Sequence, residues 1–367
     1  MIIFGLATRK IETLSHIKVI GITGSYGKSS TKSMIAQLLR STFDVEETLE
    51  NQNTTIGIAS TIVRRLTPST DIFVMEVGAY KIGEIRDSVS LVGQRLENAV
   101  ITGVNEQHLQ LFGSKERIEE AKYELIENLP QGKTVYVNAD NPVAKRMGER
   151  AKKEGRKVVT YGFSSSCDIY ATDIKDTQRG ITCTVHFKEY TSTLSLPLFG
   201  RHNVENLLCA LVVCFKTGVP WAVLMKEASS LTLPAHSMHV FRVGKTTCLD
   251  DTYSANSDGV IAALNSLGKY KGERILVLHP LIELGDASDE VHKRIGTVAA
   301  QVCNVIVMTN DSFVESVSNG TRKGDTSIPV LVKRGKEAYL YLEGTFPDTK
   351  TILFEGREAR NILQYYG

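Results

Sequence analysis

A glycine-rich segment near the beginning of the sequence has the residue types of a phosphate-binding loop. It is TGSYGKSS at residues 23–30, after an apolar run at 17–22 and at the start of a segment with helical periodicity at 28–40. Backbone N–H groups of such a loop surround a phosphate, the lysine neutralises it, and the next hydroxyl ligates magnesium. The strict pattern has glycine at Ile22, so this loop is a shortened form. It predicts nucleotide binding, with ATP expected and a chance glycine turn as the alternative; the expected contacts are Gly24, Ser25, Tyr26, Gly27, Lys28, Ser29 and Ser30.

An acidic residue ends a later apolar run. Glu76 closes the predicted strand at 71–77, just before Gly78. The carboxyl end of a parallel strand, beside a phosphate loop, is where a magnesium ligand belongs. A strand-end carboxylate that faces water is the alternative. The neighbouring loop favours the metal role, so we expect Ser29 and Glu76 to share Mg²⁺.

A lysine lies on the apolar face of a predicted helix at 115–129. At about 100° per residue, Lys122 falls among the apolar side chains of that face. The lysine either extends past the helix end to water or is buried for a reason. Burial lowers a lysine pKa, and a neutral amine can react with carbon dioxide to give a metal-binding carbamate. His108, just before this helix, is a candidate metal ligand, with packing or capping as its alternative role.

The elements that must position these residues alternate along the chain. Apolar runs at 17–22, 71–77 and 98–104 are predicted strands, and the segments at 28–40 and 115–129 are predicted helices. Strands that alternate with helices in this way indicate a parallel sheet covered on both faces. The first part of the chain therefore has the pattern of an α/β domain.

The pattern changes in the middle of the chain. Several short strands at 134–197 predict a small, more antiparallel β extension, and helices return at 202–217 and 220–231. A second strand–helix series begins after Pro234, which indicates a second, Rossmann-like α/β domain. At about 150 residues per domain, 367 residues suggest about two and a half domains. We place the domains at 1–233 and 234–367.

Composition excludes some classes of protein and partner. With 43 Lys and Arg against 41 Asp and Glu, the formal charge is only +2, which argues against a nucleic-acid binder. Six cysteines without a C-x-x-C pair favour free thiols in a reducing cytoplasm. Residues 1–6 are too short an apolar run for a signal sequence or a transmembrane helix. We expect a cytoplasmic protein whose first residues form a strand or a frayed end, with a weak interfacial anchor as the alternative.

A series of sequence motifs extends in collinear order over nearly the whole chain. It comprises GITGSYGKSSTKSM, NQNTTIGIAST, MEVGAYKIGEI, ITGVNEQHLQLFGS, EEAKYELIENLP, GRHNVENLLCAL, DDTYSANSDGVIAALNSL, IELG, and His292 with Gly296. One such motif would be weak evidence, whereas the whole series resembles the Mur ligase family, and within it the type that adds D-alanyl-D-alanine.

The resemblance implies roles for particular residues. Lys28 and the loop amides would hold the ATP phosphates. Ser29 and Glu76 would bind one Mg²⁺, and His108 with a carbamylated Lys122 would bind a second; Lys28, Lys122 and His108 would be the catalytic residues. The resemblance also implies that Asn203 and Asn206 contact the adenine. The residues that would close over the nucleotide from the second domain are Asp250, Asp251 and Tyr253.

The resemblance also implies a reaction. ATP would convert a substrate carboxylate into an acyl phosphate, which an amine attacks to form an amide. The expected substrates are a UDP-MurNAc-peptide and D-Ala-D-Ala, in peptidoglycan precursor synthesis. Relatives of this type have a further UDP-sugar domain before the phosphate loop, and here the loop starts at about residue 21. We therefore expect a partner chain that supplies this domain, or a different donor substrate.

Several positions depart from the family pattern. The P-x-G-R segment is replaced by PAHS at 234–237, so the arginine that the resemblance implies near ATP is absent unless Arg242 substitutes for it, and YSAN stands for Y-N-A-N at 253–256. The late K-G-S is EGR at 355–357, which reverses a charge. Two alternatives therefore remain: an amide ligase for another substrate, such as a poly-γ-glutamate type, and a weakened nucleotide-binding homologue that serves in assembly. The motifs DDTYSAN and NEQHLQLFGS favour the D-alanyl-D-alanine type.

Overall fold

The chain folds into two compact units, Met1–Thr232 and Leu233–Gly367. A computed structural model describes residues 2–50, 52–177, 180–253, 255–322 and 327–367. Two residues of the predicted motifs, Asn51 and Ser254, lie outside the described residues.

One sheet organises the first unit. Its described strands are β1 Lys18–Thr23, β2 Val45–Glu47, β3 Ile72–Glu76, β4 Leu96–Ile101, β5 Thr134–Asn138, β6 Lys157–Gly162, β7 Ile169–Thr177, β8 Gly180–Phe187 and β9 Tyr190–Leu196. They lie in the order β2-β3-β1-β4-β5-β6-β7-β8-β9. The pairs from β2 to β7 are parallel, and the pairs β7–β8 and β8–β9 are antiparallel.

Helices cover this sheet. They are α1 Ile2–Thr13, α2 Lys28–Leu39, α3 Thr55–Arg65, α4 Glu84–Ser90, α5 Leu109–Phe112, α6 Lys115–Glu127, α7 Pro142–Lys153, α8 Arg201–Thr217 and α9 Trp221–Ala228. One apolar cluster joins α1, α3, α4, α6 and α7 to alternate residues of the strands, which identifies one face of the sheet. Helices α2 and α8 pack on each other. The predicted strand and helix positions around the phosphate loop are confirmed within a few residues.

The β extension differs from its prediction. Strands β5, β6 and β7 continue the parallel sheet, and only the segment from β7 to β9 is antiparallel. The difference comes from α7, which connects β5 to β6 and which the prediction missed. Its buried face consists of three small residues and Met147, so few large apolar side chains mark it in the sequence. The local signal was Asn141 before Pro142, since the Asn141 side chain accepts from Ala144 N at 2.9 Å and caps the helix.

The prediction of a strand or a frayed end at the beginning of the chain is wrong. Ile2–Thr13 is a helix that packs on α3, with Ala7 and Ile11 buried. Leu14 and Ile17 extend the same apolar contact. This spacing of three and four residues places one side of the segment against the core. Among the described residues, no helix is both long and apolar enough to span a bilayer.

The second unit is a smaller α/β layer structure. Its described strands are β10 His239–Val243, β11 Thr246–Asp251, β12 Glu273–Leu278, β13 Val305–Met308, β14 Val330–Val332 and β15 Lys350–Glu355. Their order is β10-β11-β15-β12-β13-β14, and all pairs are parallel except β10–β11. The helices are α10 Ser257–Leu267, α11 Ser288–Val302, α12 Val314–Thr321, α13 Gly335–Thr345 and α14 Arg360–Leu363. The predicted α/β fold class is therefore confirmed.

Candidate functional site

The glycine-rich loop joins β1 to the first turn of α2. Gly27 precedes the helix with φ 75°, and a Cβ on it would lie 2.7 Å from Asn206 Oδ1. A Cβ on Gly24 would overlap the Thr102 hydroxyl. Ser25 N donates to Gly103 O at 2.6 Å, so the segment after β4 also holds the loop. Both glycines are thus required by the close approach of neighbouring elements as well as by the backbone turn.

Two lysines converge on one carbonyl of the loop. Lys28 Nζ donates to Gly24 O at 2.8 Å, and Lys122 Nζ donates to the same oxygen at 3.1 Å. Gly21 of β1 faces α6 closely, since a Cβ there would lie 2.8 Å from the Leu125 side chain. Helix α6 therefore carries Lys122 directly to the phosphate loop.

Both lysines have lowered pKa values. Lys122 is 2% exposed, so it is buried and does not extend to water. Burial, with a smaller contribution from the Lys28 charge, lowers the pKa of Lys122 to about 7. Burial also lowers the pKa of Lys28, against the opposing effect of the Glu76 carboxylate. At neutral pH a substantial fraction of Lys122 is therefore an uncharged, nucleophilic amine.

Glu76 lies at the end of β3 in a buried polar cluster. Its Oε2 accepts from Ser29 Oγ at 2.9 Å and lies 3.6 Å from Lys32 Nζ. Its Oε1 accepts from Asn53 Nδ2 at 3.0 Å. The structure thus brings the predicted pair Ser29 and Glu76 together. Oxygen donors of this kind suit Mg²⁺, so the residues present fit the predicted metal.

Lys32 and Asn53 are the residues that the sequence prediction missed in this cluster. Lys32 is 4% exposed and also donates to Thr48 O at 2.5 Å. It follows Lys28 by one helical turn, beside the apolar positions of α2, and this spacing was a usable signal. Asn53 precedes α3, and its contact with Glu76 spans 23 residues of sequence, so no local pattern indicates it.

His108 lies next to the beginning of α5 with φ 67°. Its ring meets the Tyr80 ring edge to face, with centroids 5.2 Å apart. Within the described ranges, no three His, Cys, Asp or Glu side chains form a cluster that could hold a metal ion. The predicted second metal site therefore depends on the modification of Lys122, and the ligand role of His108 stays a prediction.

The predicted adenine contacts lie on the first two turns of α8. Asn206 Oδ1 accepts from Thr31 Oγ1 of α2 at 3.2 Å, and Asn206 Nδ2 donates to Asn203 Oδ1 at 3.2 Å. Asn203 Nδ2 donates to Phe199 O at 2.7 Å. Because Asn206 also lies against Gly27, the structure brings this pair to the phosphate loop, although its adenine role is untested.

Of the remaining predicted residues, Asp250 and Asp251 lie at the end of β11 in the second unit, and Tyr253 follows that strand and donates its N–H to His236 O at 2.9 Å. Asp250 is buried and accepts from Thr252 Oγ1 at 2.7 Å, and its Oδ2 lies 2.6 Å from His236 Nδ1. His236 has φ 63°, a conformation that favours the glycine of the family pattern. Asp251 accepts from Met238 N at 2.9 Å. Burial, with a smaller contribution from Asp250, raises the pKa of Asp251 to about 7.

Comparison with known proteins gives the class of this chain. A family model described as the Mur ligase middle domain matches residues 22–214. The UDP-N-acetylmuramoyl-tripeptide–D-alanyl-D-alanine ligase of Escherichia coli (strain K12) is 31% identical over 337 residues, which are 91% of this chain and 74% of that protein. The crystal structure of MurF from Acinetobacter baumannii has a TM-score of 0.90 at 24% identity. The alignment covers 99% of this chain and 79% of the Acinetobacter baumannii chain. MurF from Thermotoga maritima, solved in complex with ADP, has a TM-score of 0.87 at 21% identity. That alignment covers 99% of this chain and 83% of the Thermotoga maritima chain.

The chain belongs to the Mur ligase family. It is therefore an enzyme of the ligase class that uses ATP. The predictions of the family, the fold class and the ligase class are confirmed. The two solved structures establish the likeness of fold.

Proposed function

We propose that this chain is an ATP-dependent ligase of peptidoglycan precursor synthesis that joins D-alanyl-D-alanine to a UDP-N-acetylmuramoyl peptide. The substrates are those in the name of the E. coli relative. The observation that carries the proposal is the convergence of Lys28 and the buried Lys122 on Gly24 of the phosphate loop. A nucleotide-binding protein without catalysis has no need of a second buried lysine there, because its burial is unfavourable.

The first unit supplies the groups for phosphoryl transfer. The loop amides and Lys28 would hold the phosphates of ATP, and Ser29 with Glu76 would hold Mg²⁺. When bound, the metal offsets the negative charge of the phosphates. Asn203 and Asn206, which lie beside the loop, would contact the adenine.

Lys122 would act as a carbamate. Its neutral Nζ attacks carbon dioxide, a new N–C bond forms, and the displaced proton leaves to solvent. The product is an anion beside Lys28, and we propose it as a ligand of a second Mg²⁺ together with His108. The proposed nucleotide roles of Asp250, Asp251 and Tyr253 await a test.

The test is release of ADP by the purified chain with Mg²⁺ and bicarbonate. We expect release that requires both UDP-MurNAc-tripeptide and D-Ala-D-Ala. Replacing D-Ala-D-Ala by glutamate, or by other dipeptides, distinguishes a ligase for another acceptor. Binding of ATP without any substrate-dependent ADP release would overturn the ligase proposal and favour the weakened homologue.

Two accompanying predictions concern the surroundings of the enzyme. The described cysteines are all free and buried, which supports a reducing compartment, and we propose the cytoplasm. The partner chain that would bind the UDP-sugar stays a prediction. Pull-down of the tagged chain from its host, followed by the ADP assay with and without the captured protein, tests it.

A further inference from the structure

Two acidic side chains lie side by side at one edge of the sheet in the second unit. Asp251 is the last residue of β11 and Glu355 is the last residue of β15, and the two are partners in the parallel register. Partnered residues on neighbouring strands project from the same face of a sheet. The carboxyl ends of parallel strands are also where α/β sheets bind their ligands.

The carboxyl group of Glu355 has no hydrogen-bond partner among the described residues. Glu355 is 1% exposed, and neither of its carboxyl oxygens accepts a hydrogen bond from a described residue. Burial, together with the negative charges of Asp251 and Asp250, raises the pKa of this carboxyl well above its ordinary value. Buried polar atoms are normally paired, because an unpaired one costs about 1–3 kcal/mol. We therefore expect a ligand to form hydrogen bonds with this unpaired carboxyl group.

The chemistry of that ligand follows from the neighbouring groups. Asp250 already has its partners in His236 and Thr252, whereas Asp251 accepts from Met238 N. The free acceptors thus belong to Asp251 and Glu355, and both repel anions. A divalent metal is not favoured, since the described residues contain no cluster of three acidic or imidazole ligands. A compact cation with several N–H donors fits these acceptors.

We propose that Glu355 and Asp251 form a binding subsite for the ammonium group of a primary amine. The identity of this amine as the incoming substrate rests on the proposed ligase function, whereas the recognition of an ammonium group does not. An ammonium group offers three N–H donors, which satisfy the unpaired oxygens of Glu355 and favour the ionised form of both carboxyl groups. Glu355 then acts as a specificity residue for a free amine.

The experiment compares two dipeptide probes, one with a free ammonium group and one in which an acetyl group removes its charge. The full chain is titrated calorimetrically with D-alanyl-D-alanine and with N-acetyl-D-alanyl-D-alanine, with and without a non-hydrolysable ATP analogue and Mg²⁺. We expect binding of the free dipeptide alone. Glu355→Gln is expected to weaken it by roughly tenfold to a hundredfold, as for the loss of a hydrogen bond to a charged group. Asp251→Asn is expected to act in the same direction.

The control variant is Glu337→Gln, which makes the same change at an exposed glutamate of the second unit. It is expected to bind like the unsubstituted chain. Thermal unfolding checks that Glu355→Gln folds, and no loss of stability is expected, because the substitution removes an unpaired buried acid. Equal binding of the acetylated probe, unchanged binding by Glu355→Gln, or no binding of D-alanyl-D-alanine, L-alanyl-L-alanine or L-lysine would overturn the subsite.

The same measurements separate this proposal from the ligase proposal. An amine that binds through Glu355 without supporting ADP release refutes the ligase and leaves the ammonium subsite standing. Amine-dependent ADP release that is unchanged in Glu355→Gln and Asp251→Asn supports the ligase and refutes the subsite.

Discussion

Replacing Lys122 by methionine is expected to stabilise the protein and to inactivate it. The difference between the ordinary lysine pKa of 10.5 and the value of about 7 in the fold corresponds to about 5 kcal/mol of unfavourable free energy for the charged form. Methionine has a similar length and carries no charge. The substitution loses one hydrogen bond to Gly24 O, worth about 1 kcal/mol, but Lys28 still donates to that oxygen. The net gain at low pH is therefore about 4 kcal/mol.

The pH dependence fixes the sign of this effect. Because the folded pKa of Lys122 is lowered, the unfolded chain binds more protons between pH 7 and pH 10.5, and the stability of the unsubstituted protein rises with pH over that range. Below about pH 7 Lys122 is charged in the folded protein, and the full unfavourable free energy of burying that charge is present. The advantage of Lys122→Met is thus largest below about pH 7 and declines towards pH 10.5.

Urea unfolding followed by tryptophan fluorescence measures this difference. The only tryptophan of the sequence is Trp221, which lies in the first unit together with Lys122. Lys115→Met is a matched control, because Lys115 is an exposed residue at the beginning of the same helix. ADP release is measured in parallel, and Lys122→Met is expected to be inactive with bicarbonate. Lys122→Ala, which leaves space at the site, is expected to be inactive with bicarbonate but partly rescued by small carboxylates. A stability gain that does not depend on pH would refute the burial argument, and unchanged activity would refute the carbamate.

Three further substitutions test the first unit. Lys28→Ala is expected to lower ADP release by about a hundredfold or more, since the phosphates lose their countercharge; retained release would overturn the assignment of the loop. Glu76→Gln removes the nearer of the two carboxylates beside the buried Lys32, at 3.6 Å, and leaves Glu47 at 4.0 Å, so we expect a loss of up to about 3 kcal/mol in urea unfolding together with a higher magnesium requirement. An unchanged magnesium titration would contradict the metal role. Gly24→Ala places a Cβ against the Thr102 hydroxyl, so equilibrium dialysis is expected to detect no ADP binding, whereas binding as in the unsubstituted chain would show that the loop tolerates the contact.

The phosphate loop could be predicted from the sequence because its signal is local. Its glycines, lysine and hydroxyls are contiguous, and the strand before them and the helix after them confirm their context. The anomaly of Lys122 was also visible, since helical periodicity places it on the apolar face. Periodicity alone could not decide between burial and extension to water. That decision depends on the packing of α6 against the sheet, which leaves Lys122 only 2% exposed and beside Gly24.

Other features depend on contacts that no local pattern encodes. Asn53 reaches Glu76 only after the sheet has formed, and α7 was missed because small residues make up most of its buried face. The reversed charge at Glu355 was visible in the sequence. Its position beside Asp251 could not be predicted, because the two residues lie on strands that are separated by about a hundred residues of sequence. Such contacts are determined by the register of strands that are distant in sequence, and sequence motifs do not indicate this register.

The chain has a formal charge of only +2, but each unit contains a local pair of residues of like charge, basic in the first unit and acidic in the second. The first unit buries Lys122 beside Lys28, and the second unit buries Glu355 beside Asp251. Folding alone favours neither arrangement, because a buried charge without a partner is unfavourable. The proposed ligation would use both, since one substrate would arrive with phosphates and the other with an ammonium group. Neutral substitutions at Lys122 and at Glu355 should therefore each preserve or raise stability while lowering activity, which is the trade-off expected of residues retained for function. In a homologue that serves only in assembly, the same substitutions would raise stability at no cost.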